Sequence, residues 1–424
     1  MSEIKSPANL DETQQRIAIA AEKIAEAITD TSGVWGFMED HSTLDTANRI
    51  VYTGDAADFS PVTVNSDGSV EFGSWQEFYD KLNNHPWMVK ADGTPDYRLQ
   101  DNDYTKKLDG TASDVANTSY NGGAYAWLKR IYKKEVVTLS KRLVSFRFTK
   151  AEGYEPEGFI DPDNNILEGV WLPMFYASTI DGKARTLSGL QPDYNVNTST
   201  QNSRLIAMGS RHKFLGGPIV NILTDIEIML CKNADVQIGL GRGNCSGYNA
   251  AATPAGTNGV LANKVVNGGP FYCTQDGKTL NKFFHSIVLG SFQQWMRDPY
   301  TLLVSGEYKV SKNYAYDLTG DSYESTGIKF TATGGWWYPT IYSVIDGFGC
   351  LPTPEASYGG STSTGGADGL YVNVSGVRVA LRFGDCNDGL GAGPRCLYLA
   401  DGAGGARWNI GSADLLLPPA GVAA

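Results

Sequence analysis

The chain has 424 residues, more than the roughly 100–200 of one ordinary core, so two or more domains are expected. Its net charge of −11, with no lysine- and arginine-rich run to offset it, disfavours nucleic acid as a partner. The N-terminus does not resemble a signal peptide and no apolar stretch is long enough to cross a bilayer, so we expect synthesis in the cytoplasm without membrane insertion.

The first predicted element is a short amphipathic helix over residues 10–28. Apolar side chains recur there at helical spacing, and together they form one stripe of Leu10, Ile17, Ala21, Ile24 and Ile28. Such a helix either packs on its own domain or joins copies of the chain, as an oligomerisation or virion-attachment segment would. We therefore treat residues 1–33 as a separate N-terminal unit.

Residues 34–140 are predicted to form a small mixed α/β domain. Short strands are expected at residues 50–52 and 69–72, and a capped helix at residues 74–82. Turns are predicted at Asp92-Gly93, Asp109-Gly110 and Asn121-Gly122-Gly123. The Asp101-Asn102-Asp103 run suggests a calcium site, but Asp and Asn in loops more often bond to their own backbone, so a turn is favoured.

Residues 141–424 are assigned to one larger domain, with strands alternating over residues 136–150 at its start. The segment that begins at Asp161 resembles a calcium loop, but Ile166 and Leu172 occupy the positions that need glycine and glutamate. No metal is therefore expected. The clearest helix of the chain is predicted over residues 218–231, where Pro218 suits the first turn.

The residue types that carry catalysis do not form a recognisable pattern in this chain. None of the four histidines has zinc-ligand spacing or lies near a nucleophile-elbow motif. The six cysteines lack zinc spacing and are predicted to be reduced and mostly buried, although a bridge between Cys386 and Cys396 remains an alternative. We expect no enzyme activity and no cofactor, while a pair of glycosidase carboxylates stays open because any two acids can meet in space.

Three segments together resemble the C-type-lectin-like fold of formylglycine-generating enzymes, of retroelement variable proteins and of phage tropism determinants. The first is the predicted helix at 218–231 with the turn that follows it, and the second is Gly290-Ser291-Phe292-Gln293-Gln294-Trp295-Met296. The third and most specific comprises residues 377–385, 396–399 and 408–412, which are similar to the terminal signature of the variable proteins. Here Phe383-Gly384 stands where the family has paired glycines, and Ser412-Ala413 where it has an aromatic residue and arginine.

The resemblance covers roughly residues 141–424 and implies an α+β fold whose C-terminal domain is C-type-lectin-like. It also implies a phage adhesin, a head- or tail-fibre protein on the virion that is trimeric and contacts other virion proteins. Its partner would be a protein or glycan on the host cell surface. The alternative is a structural decoration or tail-tip protein of the virion that binds no receptor.

The binding face is predicted in the glycine-rich segment 384–407, because residues 384–395 contain almost nothing to bury. The candidate contact residues are Asp385, Asn387, Asp388, Leu390, Arg395, Tyr398, Asp401 and Arg407. Tyr398 and Arg407 are the expected anchors, because tyrosine and arginine often dominate binding energy. The Trp336-Trp337-Tyr338-Pro339 run is predicted to lie in the core, with an interface as the alternative.

Overall fold

A computed structural model describes residues 33–65, 69–138, 140–241, 245, 284–286, 288–292, 294–354 and 358–424. The predicted helix at residues 10–28 lies outside these described residues, as does Cys273. The described part is built mostly of β-strands, with few helices. This is consistent with an α+β or mainly β class.

The described residues form twenty-four β-strands. The first twelve are β1 Trp35–Asp40, β2 Ile50–Gly54, β3 Thr63–Val64, β4 Val70–Glu71, β5 Pro86–Lys90, β6 Pro95–Arg98, β7 Gly122–Lys129, β8 Tyr132–Val137, β9 Lys141–Arg147, β10 Gly169–Pro173, β11 Ser178–Ile180 and β12 Lys183–Arg185. The others are β13 His212–Phe214, β14 Trp295–Val304, β15 Glu307–Val310, β16 Glu324–Lys329, β17 Gly334–Trp337, β18 Tyr342–Ile345, β19 Gly349–Pro352, β20 Leu370–Val372, β21 Val377–Phe383, β22 Gly393–Leu399, β23 Ile410–Gly411 and β24 Asp414–Leu416.

Five α-helices accompany these strands in the described part of the chain. They are α1 Gln76–Leu82, α2 Thr198–Ile206, α3 Gly217–Cys231, α4 Val236–Leu240 and α5 Val288–Ser291. The helix predicted at residues 218–231 is confirmed as α3. Every one of its residues is buried, which explains its apolar sequence, and Lys232 in the left-handed conformation ends it. No helix of the described residues has both the length and the apolarity that crossing a membrane requires.

Three sheets carry most of the fold. A four-stranded sheet has the order β2-β1-β9-β8, and a six-stranded sheet has the order β13-β24-β10-β7-β5-β6. The largest sheet has the order β16-β15-β14-β21-β22-β20-β17, and β23 adds to β14. Strands from before and after residue 140 pair with one another in the first two sheets, and one hydrophobic core contains side chains from both parts. The two parts of the chain are therefore interleaved at the level of strands.

Several local predictions are confirmed, and two are wrong. Strands occur at β2 and β4 as expected, but the helix near residue 74 begins with a 3-10 turn and has no side-chain cap. Gly122 and Gly123 do not form a turn. They begin β7, where Gly122 pairs with Lys90. Glycine is needed there because the neighbouring strand approaches closely, a feature that a turn-forming sequence pattern cannot distinguish.

The predictions of reduced, buried cysteines and of turns closed by aspartate side chains are confirmed for the described residues. The five described cysteines are free and buried, so Cys386 and Cys396 are not bridged. Asp103 accepts hydrogen bonds from the backbone N–H and hydroxyl of Thr105, and Asp161 accepts from the backbone N–H groups of Asp163 and Asn165. These aspartates therefore close their own turns. Among the described residues no group of three His, Cys, Asp or Glu side chains is arranged to hold a metal ion.

A buried ionic network joins the four-stranded sheet to α3 and to the largest sheet. Its cations and acids are Arg49, Lys133, Arg142, Arg395, Glu39, Glu135, Glu157 and Asp225. Asp225 of α3 accepts from Arg142 Nη2 at 2.6 Å and lies 2.8 Å from Lys133 Nζ. The network was not predicted, and it ties together elements that are far apart in the sequence.

Candidate functional site

The largest sheet has one face packed on a core and another that carries a row of partly exposed aromatic rings. Leu370, Val372, Leu397 and Leu399 pack into the core on the first face. Because successive strand residues point to opposite faces, Tyr371 of β20 and Tyr398 of β22 lie on the second face. These two residues are direct partners in the parallel pairing of β20 with β22.

Trp336 of the edge strand β17 completes the row of rings. Its side chain is 41% exposed, and its ring centroid lies 5.6 Å from that of Tyr371. Trp337, the next residue, points the other way and packs against the core, where it stacks on Tyr358. The core prediction for this run is therefore wrong for Trp336. Successive side chains of a strand point to opposite faces, so one of two adjacent tryptophans points outwards. The adjacent pair Trp336-Trp337 was the signal in the sequence for this arrangement.

Arg407 extends the row at its other end. Its guanidinium lies over the ring of Tyr398, 5.5 Å from the centroid, and forms an ion pair with Asp401. Trp295 of β14 lies beneath, buried, with its ring centroid 5.5 Å from that of Tyr398. We refer to the surface formed by Trp336, Tyr371, Tyr398 and Arg407 as the aromatic patch.

The loop over residues 400–409 is held in place from below by Arg297 of β14. This buried guanidinium donates to the backbone carbonyl of Val196 at 2.7 Å, to the hydroxyl of Thr198 at 2.9 Å and to the carbonyl of Gly405. Burial lowers the pKa of Arg297 to about 10, so it stays charged at neutral pH. The backbone that carries Asp401 and Arg407 therefore has a fixed support.

The prediction that residues 384–395 lie on the surface is wrong for most of the segment, because residues 384–386 and 391–395 are buried. Two of the candidate contact residues are among them. Arg395 is buried and makes two hydrogen bonds of 2.7 Å to the Glu39 carboxylate. Asp385 is also buried, and it accepts hydrogen bonds from the backbone N–H of Asn387 and from the Asn409 amide. Polar side chains can be buried when they find such partners, and the partner of Arg395 lies 356 residues away in the sequence.

Three other residues of that loop stay accessible. Asn387 and Leu390 are exposed at the tip and Asp388 is half-buried. The tip adjoins the aromatic patch because the backbone N–H of Gly369, which lies under Trp336, donates to the carbonyl of Gly391 at 2.8 Å. Of the eight predicted contact residues, the structure thus brings together Tyr398, Asp401 and Arg407, with the loop tip beside them.

The surroundings of Asp388 raise the pKa of its side chain. Burial, and then the neighbouring Asp385 carboxylate, raise the pKa of Asp388 to about 7. In the unfolded chain the pKa of this group is about 3.9, so folding takes up a proton between these values. The contribution to stability is complete below pH about 4 and is lost as the pH rises towards about 7.

We expect Asp388→Asn to remove this pH dependence. Between pH 5 and pH 8 the free energy of unfolding of the wild type should fall by about 1–2 kcal/mol more than that of the variant. Urea denaturation at both pH values measures the difference. The exposed Asp321→Asn serves as a control and should keep the wild-type pH profile. Parallel profiles for wild type and Asp388→Asn would contradict the assignment.

Comparisons with known proteins show a distant structural similarity and no family. No protein-family model matches the chain, and no curated protein matches it. Among solved structures, "Major Tropism Determinant U1 Variant" is similar, with 12% identity over 79% of this chain and 72% of that one, at a TM-score of 0.25. At that score the similarity is distant and does not establish a shared fold.

Proposed function

We propose that this chain is a phage adhesin, carried on the virion as a head- or tail-fibre protein, which binds a ligand on the host cell surface through the aromatic patch. The observation that carries the proposal is a row of rings, the exposed Trp336 followed by the half-buried Tyr371 and Tyr398, with the exposed Arg407 at its end. Large aromatic and arginine side chains left on a surface are typical of binding hot spots. The C-terminal part is proposed to be C-type-lectin-like, on the sequence segments that resemble that fold.

Rigidity of the patch supports a binding role over a purely structural one. The rings of Tyr371 and Tyr398 pack against each other at 5.0 Å, and Arg297 holds the 400–409 loop that carries Arg407. Side chains that are already fixed lose little entropy when a ligand binds. We propose no catalytic reaction at the aromatic patch, because its residues offer contact area and hydrogen bonds. In a homotrimer several copies would add avidity to modest single-site affinity.

Replacing both Tyr398 and Arg407 with alanine is expected to reduce adsorption of the full-length protein to host cells by at least about tenfold, which corresponds to roughly 1.4 kcal/mol. Flow cytometry of labelled protein on host bacteria measures the loss, and near-ultraviolet circular dichroism checks that the variant is folded. A matched control is Leu108→Ala, whose side chain is 56% exposed and lies on a different part of the surface.

Unchanged adsorption of the folded double variant would refute the proposal. It would favour the alternative, a structural decoration or tail-tip protein whose loss leaves infection intact. Equal loss in the Leu108→Ala control would show that adsorption does not depend on the aromatic patch.

A further inference from the structure

Trp336 is packed on its neighbours and is still partly exposed. A Cβ atom at Gly369 would lie 2.8 Å from Cε3 and Cζ3 of the indole, so this edge of the ring packs directly on the Gly369 backbone. The ring is also nearly parallel to that of the buried Trp295, at 13° with the centroids 6.1 Å apart. As a whole residue Trp336 is nevertheless 41% exposed. Its ring is therefore a supported aromatic surface that is partly open to solvent, and we call it the aromatic floor.

Tyr371 forms a wall beside this floor. Its ring plane makes an angle of 72° with that of Trp336. The rings of Tyr371 and Tyr398 are nearly parallel, at 23°, and lie on adjacent strands in register. Two rings that stack between neighbouring strands stand upright on the sheet. The floor and the wall thus meet in a preformed corner.

Hydrogen-bond donors and acceptors lie on the far side of the wall. Arg407 presents N–H donors and Asp401 presents carboxylate acceptors, with side chains that are 45% and 17% exposed. As an ion pair they add no net charge to the surface. The aliphatic side chains of the same strands point into the core on the opposite face. The patch is consequently aromatic and polar.

On the basis of the proposed function, we infer that the ligand of this corner is a glycan. A pyranose ring has a face of C–H groups that packs on an aromatic ring, and hydroxyls that both donate and accept hydrogen bonds. The corner matches these features: Trp336 contacts the C–H face, Tyr371 borders it, and Arg407 with Asp401 bind hydroxyls. A neutral sugar also suits this site, because the ion pair of Arg407 and Asp401 adds no net charge that would favour an anionic polymer.

The test uses the full-length protein on a printed array of bacterial surface polysaccharides. Each polysaccharide is printed in native form and after periodate oxidation, which cleaves the vicinal diols of sugar rings. We expect native spots to bind and their oxidised counterparts to lose at least about tenfold. Trp336→Ala should lose binding by at least about tenfold, whereas Trp336→Phe, which keeps a flat ring, should stay within about threefold of the wild type.

Two controls separate this inference from the proposed function. Leu108→Ala should bind the array as the wild type does, and near-ultraviolet circular dichroism verifies that each variant is folded. The glycan inference is overturned if no polysaccharide is bound, or if Trp336→Ala binds as well as the wild type. In either case adsorption to host cells that still depends on Tyr398 and Arg407 leaves the adhesin proposal standing, with a surface protein as its ligand.

Discussion

Replacing Glu39 with glutamine is expected to lower the free energy of unfolding by about 3–5 kcal/mol, because it leaves buried cations without their counter-charge. Glu39 has no exposed surface and faces three arginines: Arg395 at 2.7 Å, Arg49 at 3.2 Å and Arg142 at 3.3 Å. Burial alone would raise the pKa of Glu39, but Arg395 and Arg49 outweigh it and hold that pKa well below its usual value. Glu39 is therefore ionised at neutral pH.

The matched control is Glu77→Gln on α1, which breaks an exposed ion pair with Lys81. A surface pair of this kind contributes at most about 0.5 kcal/mol. Urea denaturation followed by tryptophan fluorescence measures both variants. If Glu39→Gln and Glu77→Gln had equally small effects, the buried network would not be what joins the four-stranded sheet to the largest sheet.

Glu39 also bears on the binding surface. Arg395 lies in β22, three residues before Tyr398 of the same strand, and Glu39 of β1 holds the Arg395 guanidinium from the other sheet. Loss of this contact would loosen the end of β22 as well as destabilise the fold. We therefore expect the Glu39→Gln variant to show weaker adsorption at temperatures where the wild type is still fully folded.

Elements whose structure depends on residues close together in the sequence could be predicted from it. The spacing of apolar residues in α3 and the β-branched and aromatic run of β2 each encode their own structure, and these predictions are confirmed. Tyr398 and Arg407 were also singled out by residue type, and the structure places them in contact. Their role in binding remains a prediction.

The rest depended on partners that are distant in the sequence. The glycine-rich composition of residues 384–395 indicated exposure, yet Arg395 is buried because Glu39 neutralises it. Trp336 was assigned to the core because large aromatic residues are usually buried, but β17 is an edge strand with one open face. A sequence pattern does not show that β17 lies at the edge of a sheet. Nor does it show that the Glu39 carboxylate lies against Arg395.

Gly122→Ala is expected to destabilise the protein by about 2–3 kcal/mol, because the added methyl group has no room. A Cβ atom at Gly122 would lie 2.0 Å from the backbone carbonyl oxygen of Val89 in the neighbouring strand β5. A backbone atom held in a sheet cannot move aside as a flexible side chain can. The strand pair β5–β7 would have to separate locally, and this pair lies inside the six-stranded sheet.

The control for this steric argument is Gly359→Ala, where the added methyl group meets nothing within 4 Å. Its free energy of unfolding should stay within about 0.5 kcal/mol of the wild type, as is usual for surface substitutions. Urea denaturation midpoints of the two variants give the comparison directly. A wild-type midpoint for Gly122→Ala would mean that residues 121–123 form the turn their sequence indicates, and that β7 begins later.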